Sequence, residues 1–154
     1  MTTQILWGSL VLGICAFIHI GLLITAIPVT RFVGTSLSKV HFLFRGSLLI
    51  VTVFAFVVFA HTIQVWLWAF CFVMLGALVT VEEAIYFSLV TYTTVGYGDV
   101  TVDERFRIFA AMASVTGLLT FGLSTAFLVT FFERVRPIRG HDRKHDHYND
   151  GDHM

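Results

Sequence analysis

Apolar side chains gather into three long runs, and polar ones into the shorter stretches between them. The first run covers residues 5–27 and, at about 1.5 Å per residue, is long enough to cross a hydrocarbon core of roughly 30 Å as one helix. Pro28 is expected to end it, leaving residues 29–45 as a linker. Met1-Thr2-Thr3-Gln4 carries no basic side chain and the run exceeds an h-region, so a span is expected rather than a cleaved signal peptide. The second run, residues 47–79, would reach roughly 50 Å as one straight helix, too long for an upright span. A tilt, a protrusion or a break is therefore expected, with His61-Thr62-Ile63-Gln64 the favoured place for a change. The third run, residues 105–132, can cross once more. Between the second and third, residues 80–92 are too few for a span and suit a helix that reaches half-way into the membrane. Thr80-Val81-Glu82-Glu83 fits a capping box, in which the Thr80 hydroxyl accepts from the Glu83 amide and the Glu83 carboxylate accepts from the Thr80 amide. That helix should begin near Val81.

Composition sharpens this pattern. Hydrophobic residues make up 56% of the chain and charged ones 13%, with a mean hydropathy of +0.82, far from the balance of a water-soluble domain. The formal net charge is zero and no basic cluster is interleaved with aromatics, which excludes nucleic acid as an expected partner. Cys15 and Cys71 stand singly in apolar stretches and read as small buried hydrophobes. Trp66 and Trp68 read as interface or packing residues. No nucleophile, base or phosphate loop forms a recognisable constellation, so neither an enzyme nor a cofactor is expected.

The distribution of charge fixes an orientation, because basic residues concentrate on the cytoplasmic side. Arg31, Lys39 and Arg45 lie between the first two runs, while Arg134, Arg136, Arg139, Arg143 and Lys144 follow the last. Both regions are expected in the cytoplasm, with the N-terminus and the segment after residue 92 outside. Only Arg105 and Arg107 fall on the outer face, beside Asp103 and Glu104.

That outer segment contains Thr93-Thr94-Val95-Gly96-Tyr97-Gly98-Asp99. Its core TVGYG resembles the selectivity filter of the potassium channel family, in which carbonyls from four such loops replace the water around K⁺. Glycine at alternate positions has a physical use here, since Gly96 and Gly98 can take positive φ and let successive carbonyls face one axis. The resemblance implies K⁺ ligands at Thr94, Val95, Gly96 and Tyr97, with the Thr94 hydroxyl as the innermost layer. Val95 and Tyr97 are expected to turn their side chains toward the preceding helix. One loop supplies a quarter of a coordination shell, so a fourfold homotetramer is expected. The negative end of the preceding helix, near Tyr92, would face the cavity below the loop.

Residues 116–126, TGLLTFGLSTA, are similar to the inner helix of simple two-helix bacterial potassium channels. Gly117 falls at the position of that family's hinge glycine and Gly122 at a second one, while close helix packing explains Gly117 equally well. By the same resemblance Leu118, Phe121, Thr125 and Val129 should line a cavity and Phe132 its inner mouth. Val90 stands where some members carry a glutamate that pairs with the aspartate after the filter. Tyr86 stands where many carry a tryptophan that bonds it, so a Tyr86 to Asp99 hydrogen bond is expected instead. The first span has no counterpart in the resemblance, and its few basic residues exclude a voltage sensor.

His19, His61 and Gln64 are polar groups at membrane depth. Neutral imidazoles hydrogen-bonded to a neighbouring helix are expected, with pH sensing as the functional alternative. The segment 141–154 mixes His141, His145, His147 and His153 with Asp142, Asp146, Asp150 and Asp152, and its composition favours a solvated, disordered tail over a metal or proton sensor.

The expectation is an all-α membrane protein with three transmembrane helices, a re-entrant pore helix and a filter loop. Residues 1–46 form the first helix and a cytoplasmic linker, 47–132 a pore domain and 133–154 the tail; within the pore domain, 81–92 is the pore helix, 94–98 the filter and 105–132 the inner helix. The expected function is passive, K⁺-selective conduction by a multi-pass protein of the cell membrane, of bacterial type by resemblance. Its partners would be further copies of itself, lipid and the permeant ion. A non-conducting regulatory subunit is the alternative, against which Thr94, Gly96 and Gly98 argue.

Overall fold

A computed structural model describes residues 2–37 and 41–135. Four α-helices account for most of them: α1 (Thr2–Ser36), α2 (Phe42–Met74), α3 (Val81–Tyr92) and α4 (Arg107–Val135), with a single 3-10 turn at Glu104–Phe106 before α4. Three stretches, Thr2–Ser36, Phe44–Met74 and Glu104–Glu133, are long and apolar enough to cross a membrane. Residues 38–40, with Lys39 among them, and residues 136–154 of the expected tail lie outside the described residues.

Each long helix buries one stripe. On α1 it is Gly8, Val11, Cys15, His19, Leu23, Ala26, Thr30 and Gly34, spaced by three or four residues as a 3.6-residue repeat demands. Gly8 meets Phe109 and Met112, and His19 meets Ser124, so α1 runs parallel to α4. Gly34 lies against Leu49 while His19 bonds Gln64, so α2 runs antiparallel to both. The apolar core fills the end where α2 stops and α4 starts: Trp68 packs on Phe72 and Phe109, and Phe72 on Phe87. At that end α3 begins. It then descends between α2 and α4, with Phe87 at the level of Phe72, Ser88 at Val65, and Tyr92 at Gln64 and Thr120. Residues 93–103 bring the chain back to the same end of the bundle.

Several boundaries differ from the sequence expectation. α2 starts at Phe42 rather than residue 47 and so takes in Arg45. The helix expected over 105–132 runs from Arg107 to Val135 after the 3-10 turn, taking residues 133–135 from the expected tail. α1 does not stop at Pro28 but continues to Ser36, which reduces the linker and carries Arg31 onto a helix. Helices in hydrocarbon tolerate proline because leaving the helix would expose many more unpaired backbone groups than the one carbonyl proline deprives. α2 does not break at His61-Thr62-Ile63-Gln64. Thr62 donates to the Val58 carbonyl and both His61 and Gln64 bond side chains inside the bundle, so the polar groups are satisfied without unwinding. α2 ends at Met74 rather than near Val79, because Gly76 takes φ +66° and its neighbour Ala77 donates back to the Phe72 carbonyl.

Candidate functional site

α3 starts where Thr80 caps it: the Thr80 hydroxyl accepts from the Glu83 amide at 3.2 Å. The second half of the expected box takes another form, since the Thr80 hydroxyl faces the Glu83 carboxylate at 3.5 Å. The other end of α3 is clamped from both sides. From its own turn, Ser88 Oγ donates to the Val65 carbonyl of α2 at 2.7 Å, and from α4 Ser114 Oγ donates to the Thr91 carbonyl at 2.8 Å. Gly117 of α4 lies so close that a Cβ there would overlap the Tyr92 carbonyl oxygen. Close approach of two backbones is thus what Gly117 provides here, whereas Gly122 has open space around it.

After α3 the chain folds back on the helix it has left. The Thr94 amide donates to Thr91 O at 3.0 Å, and the amides of Val95 and Gly96 both donate to Val90 O, at 3.0 and 3.2 Å. None of the described peptide bonds is cis, and in a trans peptide the carbonyl points opposite to the N–H of the next residue. Two consecutive N–H groups directed at one acceptor on α3 therefore direct the Thr94 and Val95 carbonyls together away from α3. Positive φ recurs at every second residue, at Thr94 (+61°), Gly96 (+58°) and Gly98 (+77°). Two of these are glycines, for which the conformation is cheap; at Thr94, a β-branched residue, it is strained.

At the end of the bundle where α3 begins, the Tyr86 hydroxyl donates to Asp99 Oδ2 at 2.6 Å. This hydrogen bond is the main reason the Asp99 carboxyl lies below its ordinary value, helped by the Val100 amide that donates to Oδ1. Arg105 pairs with Asp103 and Arg107 with Glu104, both at 3.2 Å and both exposed. Among the described residues, Asp99, Glu82 and Glu83 stand without a cation. The acidic side chains at this end thus outnumber the basic ones.

Val95 and Tyr97 do not pack on the α3 of their own chain: they are 51% and 73% exposed. Leu118, Phe121, Gly122, Thr125, Val129 and Phe132 all lie on the exposed side of α4, opposite the buried stripe of Phe109, Ala113, Thr116, Thr120 and Ser124. Phe121 has a second contact, for its ring stacks on His61 with centroids 4.4 Å apart. Sequence reasoning missed three contributors. It weighed the Val90 side chain where the Val90 carbonyl makes the contacts, took Tyr92 only as a helix end, and read Ser114 only as a small residue that lets helices approach. A hydroxyl in an apolar helix was the available signal for the last.

A family model described as an ion channel fits residues 46–134, more than half of the 154 residues. No solved structure matches the chain.

Proposed function

The chain belongs to the ion channel family, and from that premise we propose that it is a K⁺-selective channel, passing ions passively through a ring of four 94–98 loops. It is a multi-pass membrane protein with three helices fit to span. The observation that carries the reading is the pair of carbonyls at Thr94 and Val95 turned away from α3, continued by positive φ at Gly96 and Gly98. A dehydrated K⁺ takes about eight oxygen ligands, and square layers of them need four copies of such a loop.

Other features support the same arrangement. α3 is a re-entrant pore helix on this reading: it descends half the bundle and its negative C-terminal end then faces a waiting cation. Val95 and Tyr97, uncovered on one subunit, would find packing partners on the next. The exposed stripe from Leu118 to Phe132 would line the central cavity, where apolar side chains can gate by dewetting. Arg31 and Arg45 sit at the end of the bundle opposite Asp99, consistent with loops that face outward and basic ends that face the cytoplasm. Asp99, Glu82 and Glu83 would then concentrate cations at the entrance.

Gly96→Ala tests the assignment. An L-residue in the left-handed region costs about 1–2 kcal/mol, and four copies in one ring multiply the distortion. Reconstituted Gly96→Ala is expected to lose selective K⁺ flux; undiminished selectivity would contradict the assigned loop.

A further inference from the structure

Behind the Tyr92 turn lies a group of polar side chains drawn from all four helices, buried except for the half-buried His61. Gln64 Nε2 is 2.6 Å from His19 Nδ1, His19 Nε2 is 2.8 Å from Ser124 Oγ, and Ser124 Oγ is 3.2 Å from His61 Nε2. His61 Nδ1 is 2.8 Å from Tyr92 Oη, which donates to Gln64 Oε1 at 3.0 Å. The chain of contacts returns to its starting residue. It is a closed circuit.

The donors and acceptors settle its direction. The Gln64 amide nitrogen can only donate, so His19 Nδ1 accepts and His19 Nε2 carries the proton that goes to Ser124. Ser124 then donates to His61 Nε2, leaving His61 Nδ1 to donate to Tyr92, whose own proton returns to Gln64. Each member donates once and accepts once around the circuit, and such chains strengthen one another in a low dielectric. Both imidazoles are neutral in this arrangement, each with one defined tautomer. Thr120 Oγ1 adds a further contact to Tyr92 Oη at 2.7 Å.

Tyr92 joins the circuit to the ion path. Its hydroxyl sits in the circuit, its carbonyl lies against Gly117, and it stands two residues before Thr94. We infer that His19, on the span outside the family match, is a positioning residue for the 94–98 loop, acting through Tyr92; this rests on the channel reading above. Without the His19 imidazole, Gln64 Nε2 and Ser124 Oγ both lose a partner. Ser124 can turn to a carbonyl of its own helix, as serines in helices do. The Gln64 amide can rotate its nitrogen toward Tyr92, which reverses the hydrogen bond that the tyrosine donates. The tyrosine proton must then turn to Thr120 Oγ1, whose own proton goes to carbonyls of α4, and the ring shifts toward α4 and takes Thr94 with it. On this account α1 completes the mount of the loop, a part that the matched segment 46–134 lacks.

A double-mutant cycle read on ion selectivity tests this. Wild type, His19→Phe, Tyr92→Phe and the double variant are reconstituted in planar bilayers, and the Na⁺/K⁺ permeability ratio is taken from reversal potentials. Each single change is expected to raise the ratio, by roughly three- to tenfold as suits a lost buried hydrogen bond, and the double variant no further than Tyr92→Phe alone. A general loss of stability would leave the surviving channels selective or make the two effects multiply. If His19→Phe does not assemble, Ser124→Ala breaks the circuit from α4 and takes its place in the cycle. A selective wild type with an unchanged ratio in the His19 or Ser124 variant, or with multiplying effects, overturns the inference alone. A wild type without K⁺ preference overturns the channel reading and this inference with it.

Discussion

The Tyr86 hydroxyl donates to the Asp99 carboxylate across 2.6 Å, tying the middle of α3 to the residue that follows the 94–98 loop. With the double contact of Val90 O at the other end, the loop is held to α3 at both ends. Tyr86→Phe keeps the ring and removes the donor. The Asp99 carboxyl should move up toward its ordinary value of 3.8, measurable by carboxyl-resolved infrared titration, and current decay during sustained opening should change rate. Unchanged decay would show that the tie does not support the loop.

The same bond carries a pH dependence of defined sign. Because folding lowers the Asp99 pKa, its contribution is complete above the ordinary value of 3.8 and fades as pH falls through the lowered one. Acidifying the outer solution in that range should reproduce the Tyr86→Phe decay in wild type and have little further effect on the variant. Recordings at stepped outer pH compare the two.

Two glycines on α4 should respond oppositely to alanine. Gly117→Ala drives a methyl into the Tyr92 carbonyl, and with backbone on both sides the cost should be about 1–3 kcal/mol. Gly122→Ala meets nothing within 4 Å and gains helix propensity, about 1 kcal/mol in favour of the folded state. Melting midpoints in detergent should fall for the first and hold or rise for the second.

Thr94 is the one non-glycine residue with positive φ among those described, at +61°. Thr94→Gly should relieve roughly 1–2 kcal/mol of strain, raising the melting midpoint, while removing a hydroxyl that faces the ion path on the channel reading. Stability and K⁺ preference should therefore move in opposite directions, which paired melting and permeability measurements would show.

Legibility in the sequence followed the physics of each feature. The three long helices were readable because lipid demands a minimum apolar length, and α3 because Thr80 caps it locally. The end of α1 was not, since a proline that would stop a helix in water does not outweigh the backbone pairing enforced by an apolar surround. The polar stretch from His61 to Gln64 looked like a break because the side-chain partners of its two ends lie 28 to 63 residues away in sequence, on α1, α3 and α4. The alternate glycines announced the loop, yet the left-handed Thr94 and the double acceptor at Val90 O depend on how the chain folds back. Gly117 was legible as a small residue, and only the position of Tyr92 shows what approaches it.

The channel reading gives the His/Asp-rich segment after Gly140 no part in conduction. Its deletion should leave K⁺ flux, and its response to pH and Zn²⁺, unchanged; a lost Zn²⁺ response would assign that segment a sensing role.

The central claim is that four 94–98 loops select K⁺. Flux from liposomes containing the purified protein, under conditions where it is tetrameric and with K⁺, Rb⁺ and Na⁺ compared under equal gradients, tests it most directly. The account predicts passage of K⁺ and Rb⁺ with Na⁺ excluded, and tetramers that carry no K⁺, or carry Na⁺ as readily, would contradict it.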